Sequence, residues 1–118
     1  VIDARMGEIY AASYRRDDNG GLLALDEERI CTAETLELPV AAAWQVVGSG
    51  WATYAPTISQ RLSGALHSAD GLRYPQAAHV AELALREFRA GHLLAPEQAL
   101  PVYLRDKVAL TLAEQGRA

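Results

Sequence analysis

Between two runs of alternating apolar residues lies Asp17-Asp18-Asn19-Gly20-Gly21, a stretch that neither a helix nor a strand runs through. Asn and Gly enter the positive-φ conformations that a hairpin reversal needs, and Asp bonds its own backbone in such turns. The flanking runs must therefore fold back on each other as antiparallel strands. Upstream, Val1 and Ile2 are β-branched and suit a buried, pleated position, so the chain opens inside what reads as a strand. Arg5-Met6-Gly7 reads as a second tight turn. Strands are predicted over about 1–4, over 8–16 with Tyr10 and Tyr14 on one face, and from Leu22 to about Cys31. In the last of these, Glu27, Glu28 and Arg29 suggest a bend or an exposed edge.

Beyond the hairpin the period changes. Thr32 to Val40 resembles a short helix with a Thr cap, stopped near Pro39. Ala43 to Val47 is a short apolar strand running into Gly48-Ser49-Gly50. Trp51 to Leu62 is helical in character, with Pro56 beginning or kinking the helix, and Ala65 to Ser68 reads as a fifth short strand. Pro75 to Ala90 has the clearest helical pattern, with Pro at its start and Gly91 as its stop. Val80, Ala81, Ala84, Leu85 and Phe88 form an apolar stripe there, while Glu82, Arg86 and Arg89 lie opposite and the two arginines complement the helix dipole. The tail from Pro96 holds a short turn, then Pro101 to Arg105 as an extended segment, and its last residues are expected to be poorly ordered. Three antiparallel strands followed by helix, strand, helix, strand, helix is the order of an α/β ribonuclease-H-like layer: a five-stranded mixed sheet with helices on its faces.

Composition narrows the function classes. The 118 residues suit one domain with a real core, half of them hydrophobic and 22% charged. No apolar run approaches the ~20 residues of a membrane span, so no membrane partner is expected. A net charge of −4 argues against bulk capture of nucleic acid. One cysteine, Cys31, excludes an internal disulfide and fits a reducing cytoplasm.

None of the candidate constellations completes an autonomous active site. A two-metal nuclease on this fold needs several converging carboxylates. Asp3 stands on the first strand, but the strand ending at Gly48 brings no second carboxylate, and the first helix offers only Glu34 and Glu37. Asp3 is better read as positioning its own turn. Gly48-Ser49-Gly50 sits where backbone amides cradle phosphate, but position 53 is Thr rather than the third fingerprint glycine and no Walker lysine follows, which favours a tight strand-to-helix turn. Counted as a calcium loop from Asp17, the hairpin places Leu22 where glycine is required. His67, His79 and His92 are isolated, Ser49 has no nearby base, and Cys31 has only Arg29 to lower its pKa. Trp44, Trp51, Tyr54 and Tyr74 read as core or subunit-contact residues.

Two stretches are more distinctive. DARMGEIYAASY (Asp3 to Tyr14) and LPVYLRDKVA (Leu100 to Ala109) resemble the two signature segments in the C-terminal half of the bacterial TsaB family. That family is also called YeaZ and was once labelled glycoprotease-like. VVGSGW (Val46 to Trp51) resembles its strand-turn segment. The resemblance runs through essentially the whole chain. It implies the C-terminal lobe of a two-lobed, actin-like protein whose N-terminal lobe is absent, with Val1 inside the lobe's first strand.

The implied role is a non-catalytic one in making N6-threonylcarbamoyladenosine in tRNAs that read codons starting with A. The implied partners are the catalytic paralogue TsaD, the small ATPase TsaE and, through that complex, tRNA. No cofactor or metal is implied, and a homodimer is a further expectation because a lone lobe exposes apolar surface. The alternatives are an actin-like ATPase or kinase, a glycoprotease-like peptidase, and a purely structural dimerisation domain. The binding or interface candidates are Asp3, Arg5, Glu8, Gly48, Ser49, Gly50, Tyr103 and Arg105. Arg5 and Glu8 are expected to pair with each other or with the other lobe, and Tyr103 and Arg105 to fasten the C-terminal segment back onto the sheet or the other lobe.

Overall fold

Local backbone chemistry sets where the chain reverses. The computed structural model describes residues 1–18 and 20–105. Asn19 of the hairpin, residues 106–109 of the second signature segment and the tail from 106 onward lie outside the described residues. In chain order come β1 (Ile2–Arg5), β2 (Glu8–Ala11), β3 (Tyr14–Arg16), β4 (Leu22–Ala24) and β5 (Arg29–Thr32). They are followed by β6 (Trp44–Val47), helix α1 (Ser49–Leu62), β7 (Leu66–Asp70) and helix α2 (Ala77–Arg89), then a 3-10 turn at Pro96–Gln98.

The predicted strand over 8–16 is two strands. β2 pairs with β5 and β3 pairs with β4, and residues 12–13 face the longer stretch 25–28 between the two ladders. The break is held by side chains. The Ser13 amide donates to Asp26 Oδ1 at 2.7 Å, and Asp26 Oδ2 takes Arg29 Nη1 at 3.0 Å. The glycine-rich hairpin closes with Asp17 N donating to Gly21 O at 3.0 Å.

The helix expected over 32–40 is not formed. Thr32 and Thr35 bond each other reciprocally through backbone and hydroxyl groups, giving one turn, after which the chain extends. Pro39 bars Leu38 from the helical region, so the segment is too short to propagate. The carbonyls a helix would use are taken from outside: Arg61 donates to Leu36 O through Nε at 3.0 Å and Nη2 at 2.8 Å, and Arg29 Nη2 donates to Glu37 O.

In place of one five-stranded sheet, the described residues form three ladders: β1-β2-β5 and β3-β4, both antiparallel, and β6-β7, which is parallel. The architecture is α/β. β1 and β6 meet at one point, where Val1 N donates to Val47 O at 2.7 Å and Gly50 N donates to Val1 O at 3.2 Å. α1 connects the parallel strands and begins two residues earlier than predicted. Pro56 lies inside it, and the helix bends at Tyr54 (φ −121°, ψ 22°). Its buried residues Gly50, Ile58 and Leu62 lie four or eight apart on one face, and Ile58 and Leu62 close a core with Ile9, Ala11, Ala33, Leu36 and Val46. Trp44, Trp51 and Tyr54 pack against that core, whereas Tyr74 is exposed.

α2 spans the predicted helix, but its stripe is not core. No residue of α2 is buried, and Val80, Leu83, Leu85 and Phe88 are all exposed. No described helix is long and apolar enough to cross a membrane.

Candidate functional site

The residues singled out along the sequence fall into two adjoining groups around the β1–β2 turn. The first joins β1 to the start of α1. The Asp3 amide donates to Ser49 Oγ at 3.1 Å, and Thr53, one helical turn after Ser49, directs its hydroxyl at Asp3 Oδ2 (3.4 Å) and Ser49 O (3.3 Å). Asp3 Oδ1 accepts the Arg5 amide at 2.8 Å, and the Arg5 guanidinium stands 3.5 Å from Oδ2. The Asp3 side chain is 17% exposed and that of Arg5 87% exposed, so the carboxylate is the ordered partner. Asp3 therefore organises its own turn, and Arg5 pairs with it rather than with Glu8.

Gly48, Ser49 and Gly50 carry the chain from β6 into α1. Gly48 has φ 105° and ψ 168°, a conformation essentially confined to glycine. Its amide donates to Asp70 O at 2.9 Å, and its carbonyl receives Trp51 N at 3.0 Å. The Gly50 amide, one of those a phosphate would need, is committed to Val1 O. The loop is closed on itself and on β1.

The second group is built around Arg105. Arg5, Met6 and Gly7 all have positive φ (63°, 57° and 79°), an unusual run for two side-chain-bearing residues. Arg105 reaches back to this turn, with Nη2 donating to Ala4 O at 2.9 Å and to Arg5 O at 3.5 Å while Nη1 faces Met6 Sδ at 3.4 Å. The same guanidinium pairs with Glu8 Oε2 at 2.8 Å, with side-chain exposures of 14% for Arg105 and 32% for Glu8. A hydrogen bond with Tyr10, then the Glu8 charge, holds the Arg105 pKa above its ordinary value against burial. Tyr103 does not share in this. It is 81% exposed and lines, with Tyr10 and Val102, a shallow cavity of about 330 Å³. The fastening of the C-terminal segment belongs to Arg105.

Thr53, Met6 and the Ala4 carbonyl complete these groups without having been singled out. Thr53 stood on the helix predicted over Trp51 to Leu62, but that helix left out Ser49, so the four-residue spacing between them appears only once α1 starts at Ser49, and the carbonyl left no trace in sequence. Burial pushes the Cys31 thiol up in pKa, outweighing the opposing pull of Arg29. His92 Nδ1 meets Glu87 Oε2 at 2.8 Å. Among the described residues no His, Cys, Asp and Glu cluster has the makings of a metal site. What the arrangement does chemically is lock two strands, a helix start and the C-terminal segment into one charged junction.

No family model matches the chain. It is 35% identical over 112 residues to the tRNA threonylcarbamoyladenosine biosynthesis protein TsaB of Escherichia coli K12, which covers 92% of this chain and 48% of that protein. It is 31% identical over 117 residues to the Haemophilus influenzae Rd protein of the same name, covering 92% and 47%. A Pseudomonas aeruginosa crystal structure of a protein with similarity to the peptidase YeaZ superposes with a TM-score of 0.75 at 34% identity, over 88% of this chain and 47% of that one. YeaZ from Pseudomonas aeruginosa gives a TM-score of 0.68 at 29% identity, over 86% and 47%. The chain spans about half the length of the relatives it matches.

Proposed function

The chain belongs to the TsaB (YeaZ) family, and on that premise we propose that it serves the formation of N6-threonylcarbamoyladenosine in tRNA. It does so as the C-terminal lobe of a cytoplasmic, non-catalytic partner of the transferase TsaD, with the ATPase TsaE joining the complex and tRNA reached through it. The likeness to TsaB over 92% of the chain is the observation that carries this reading. Its non-catalytic part is supported by the state of the polar groups. Asp3, Ser49 and Thr53 bond one another, and Glu8 is paired with Arg105, so these groups act as a structural joint. In this reading the fold is a ribonuclease-H-like, actin-like lobe. The Val1–Val47 contact supports it by setting β1 beside β6, in the spatial order β5-β2-β1-β6-β7.

The test is a chimaera in which this chain replaces the matching half of Escherichia coli TsaB, reconstituted with TsaD, TsaE, tRNA and threonylcarbamoyl-adenylate. Mass spectrometry of digested tRNA should find the modified nucleoside at a yield comparable to that with native TsaB. A chimaera that folds by circular dichroism yet supports no modification would overturn the pathway assignment. Peptide hydrolysis or ATP turnover by the chain itself would overturn its non-catalytic part.

A further inference from the structure

The chain's single methionine stands at the tip of the β1–β2 hairpin. Arg5 pairs with Glu8, so Met6 and Gly7 form a two-residue loop. Their φ values, 57° and 79°, are those of the primed turn that a twisted hairpin favours. Such values are costly for a residue with a Cβ, yet Met6 is held there because Arg105 grips the loop from both sides. Its Nη2 meets Ala4 O at 2.9 Å before the loop and Glu8 Oε2 at 2.8 Å after it. Nη1 faces Met6 Sδ at 3.4 Å, while Met6 is 60% exposed and so open to small solutes.

The acceptors around this guanidinium are unequal. A carbonyl and a carboxylate bind it through oxygen, whereas a thioether sulfur accepts weakly, so the Nη1 contact is the weakest of the three. Oxidation of the sulfur reverses that order. A sulfoxide is polar where the thioether is apolar, and a hydrogen bond from an ionised donor to its oxygen is about twice as strong as a neutral one.

We infer that Met6 is a reversible oxidation site whose sulfoxide tightens the hold of Arg105 on the β1–β2 turn. The oxidant is a peroxide. The sulfur attacks one peroxide oxygen, the S–O bond forming as the O–O bond breaks, and gives up two electrons. The departing hydroxide collects the proton of the transferred oxygen and leaves as water. Reduction by a thiol-dependent sulfoxide reductase returns the thioether, the oxygen leaving as water while two thiols join in a disulfide. Cys31, the one thiol of the chain, competes poorly for the oxidant, because burial raises its pKa and the thiolate is the nucleophile. The sulfoxide is chiral and Arg105 lies to one side of the sulfur, so one epimer alone directs its oxygen at Nη1. Oxidation then fastens the segment ending at Arg105 more firmly to the sheet. The inference is read without tRNA or TsaD, so it stands or falls apart from the proposed function.

The experiment treats the 118-residue chain with dilute hydrogen peroxide and locates the added oxygen by peptide mass spectrometry. Two sulfoxide reductases, each specific for one epimer, then leave the opposite epimer in turn, and each population is melted separately. Expected is one added oxygen at Met6, and for one epimer a Tm higher by about 3 °C or more, the scale of one hydrogen bond to a charged group. Arg105→Ala should abolish the difference between the epimers, and Met6→Leu should show no rise with peroxide. Met6→Gln, whose amide oxygen stands in for that of the sulfoxide, should melt above Met6→Leu with no oxidant present. A Tm that stays level or falls for both epimers would overturn the proposal, as would a rise that Met6→Leu shares.

Discussion

Replacing Gly48 by alanine tests the junction of β1, β6 and α1 at its tightest point. At φ 105° and ψ 168° a Cβ is strained wherever it points, a cost of about 1–3 kcal/mol. This Cβ also lands on the Val1 carbonyl oxygen and stands 3.1 Å from its carbon, with backbone rather than a yielding side chain in the way. Moving Val1 aside breaks Gly50 N to Val1 O and Val1 N to Val47 O, at about 0.5–1.5 kcal/mol each. The total, about 2–6 kcal/mol, is a large part of the ~5–15 kcal/mol that holds a domain together. At about 3–4 °C per kcal/mol for a chain of this size, Tm should fall by roughly 6–24 °C. Gly64→Ala is the control. Gly64 also has positive φ (87°), but a Cβ there meets nothing within 4 Å, so only the backbone cost of about 1–2 kcal/mol applies. Both variants are compared by thermal melts and urea titration. If Gly48→Ala costs no more than Gly64→Ala, the close approach of Val1 is not a rigid feature and the reasoning fails.

Arg105→Ala should lower Tm while Tyr103→Ala leaves it unchanged, and Arg105→Lys should not restore it, because an ammonium cannot span Ala4 O, Met6 and Glu8 together; an equal loss for Tyr103→Ala would refute this. Alkylation of Cys31 by iodoacetamide at pH 8 should be slower than that of an unstructured cysteine peptide, since burial raises its pKa, and faster labelling would contradict that. Burial pushes the Asp26 carboxyl up, but the Ser13 amide and hydroxyl, and then Arg29, outweigh it and hold the group below the ordinary range. The stability this adds is complete above the unfolded pKa of about 3.9 and is lost as pH falls through the lower folded value. Native protein should therefore exceed Asp26→Asn in urea midpoint at pH 6 and converge with it in strong acid; a gap that persists there would overturn the linkage. Sedimentation at high concentration should show self-association through the exposed face of α2, weakened by Phe88→Glu without a lower Tm. A monodisperse monomer would contradict it.

What could be read along the chain was whatever local chemistry decides. Gly20-Gly21 and Met6-Gly7 had to be turns, and Pro75 and Gly91 framed a helix that is present within two residues of its expected ends. What could not be read depends on partners distant in sequence. The helix expected over Thr32 to Val40 was overridden by Arg29 and Arg61, which took the Glu37 and Leu36 carbonyls, and no propensity reports that. The strand predicted over 8–16, with Tyr10 and Tyr14 on one face, is divided because Asp26 captures the Ser13 amide. The candidate site divides in the same way. Asp3 as the organiser of its own turn follows from an Asp two residues before an amide that needs an acceptor, and Arg105 stands out in a distinctive segment. That Arg105 closes on a turn 100 residues away, while the neighbouring Tyr103 stays exposed, follows only from three-dimensional register.

α2 marks the limit of such reading. Its stripe of Val80, Leu85 and Phe88 has the helical period of a core face, and on that pattern it belongs against a sheet. A period reports that a face is built to be covered; it carries no information about what covers it. Here the core closes without α2: Ile58 and Leu62 of α1 meet Ile9, Ala11 and Val46, and α2 is left with no buried residue. What the structure adds is that this face, with Val80, Leu85 and Phe88 all exposed, stands apart from the closed core, so it can be covered by a second surface without any rearrangement of Ile58, Leu62 and their partners.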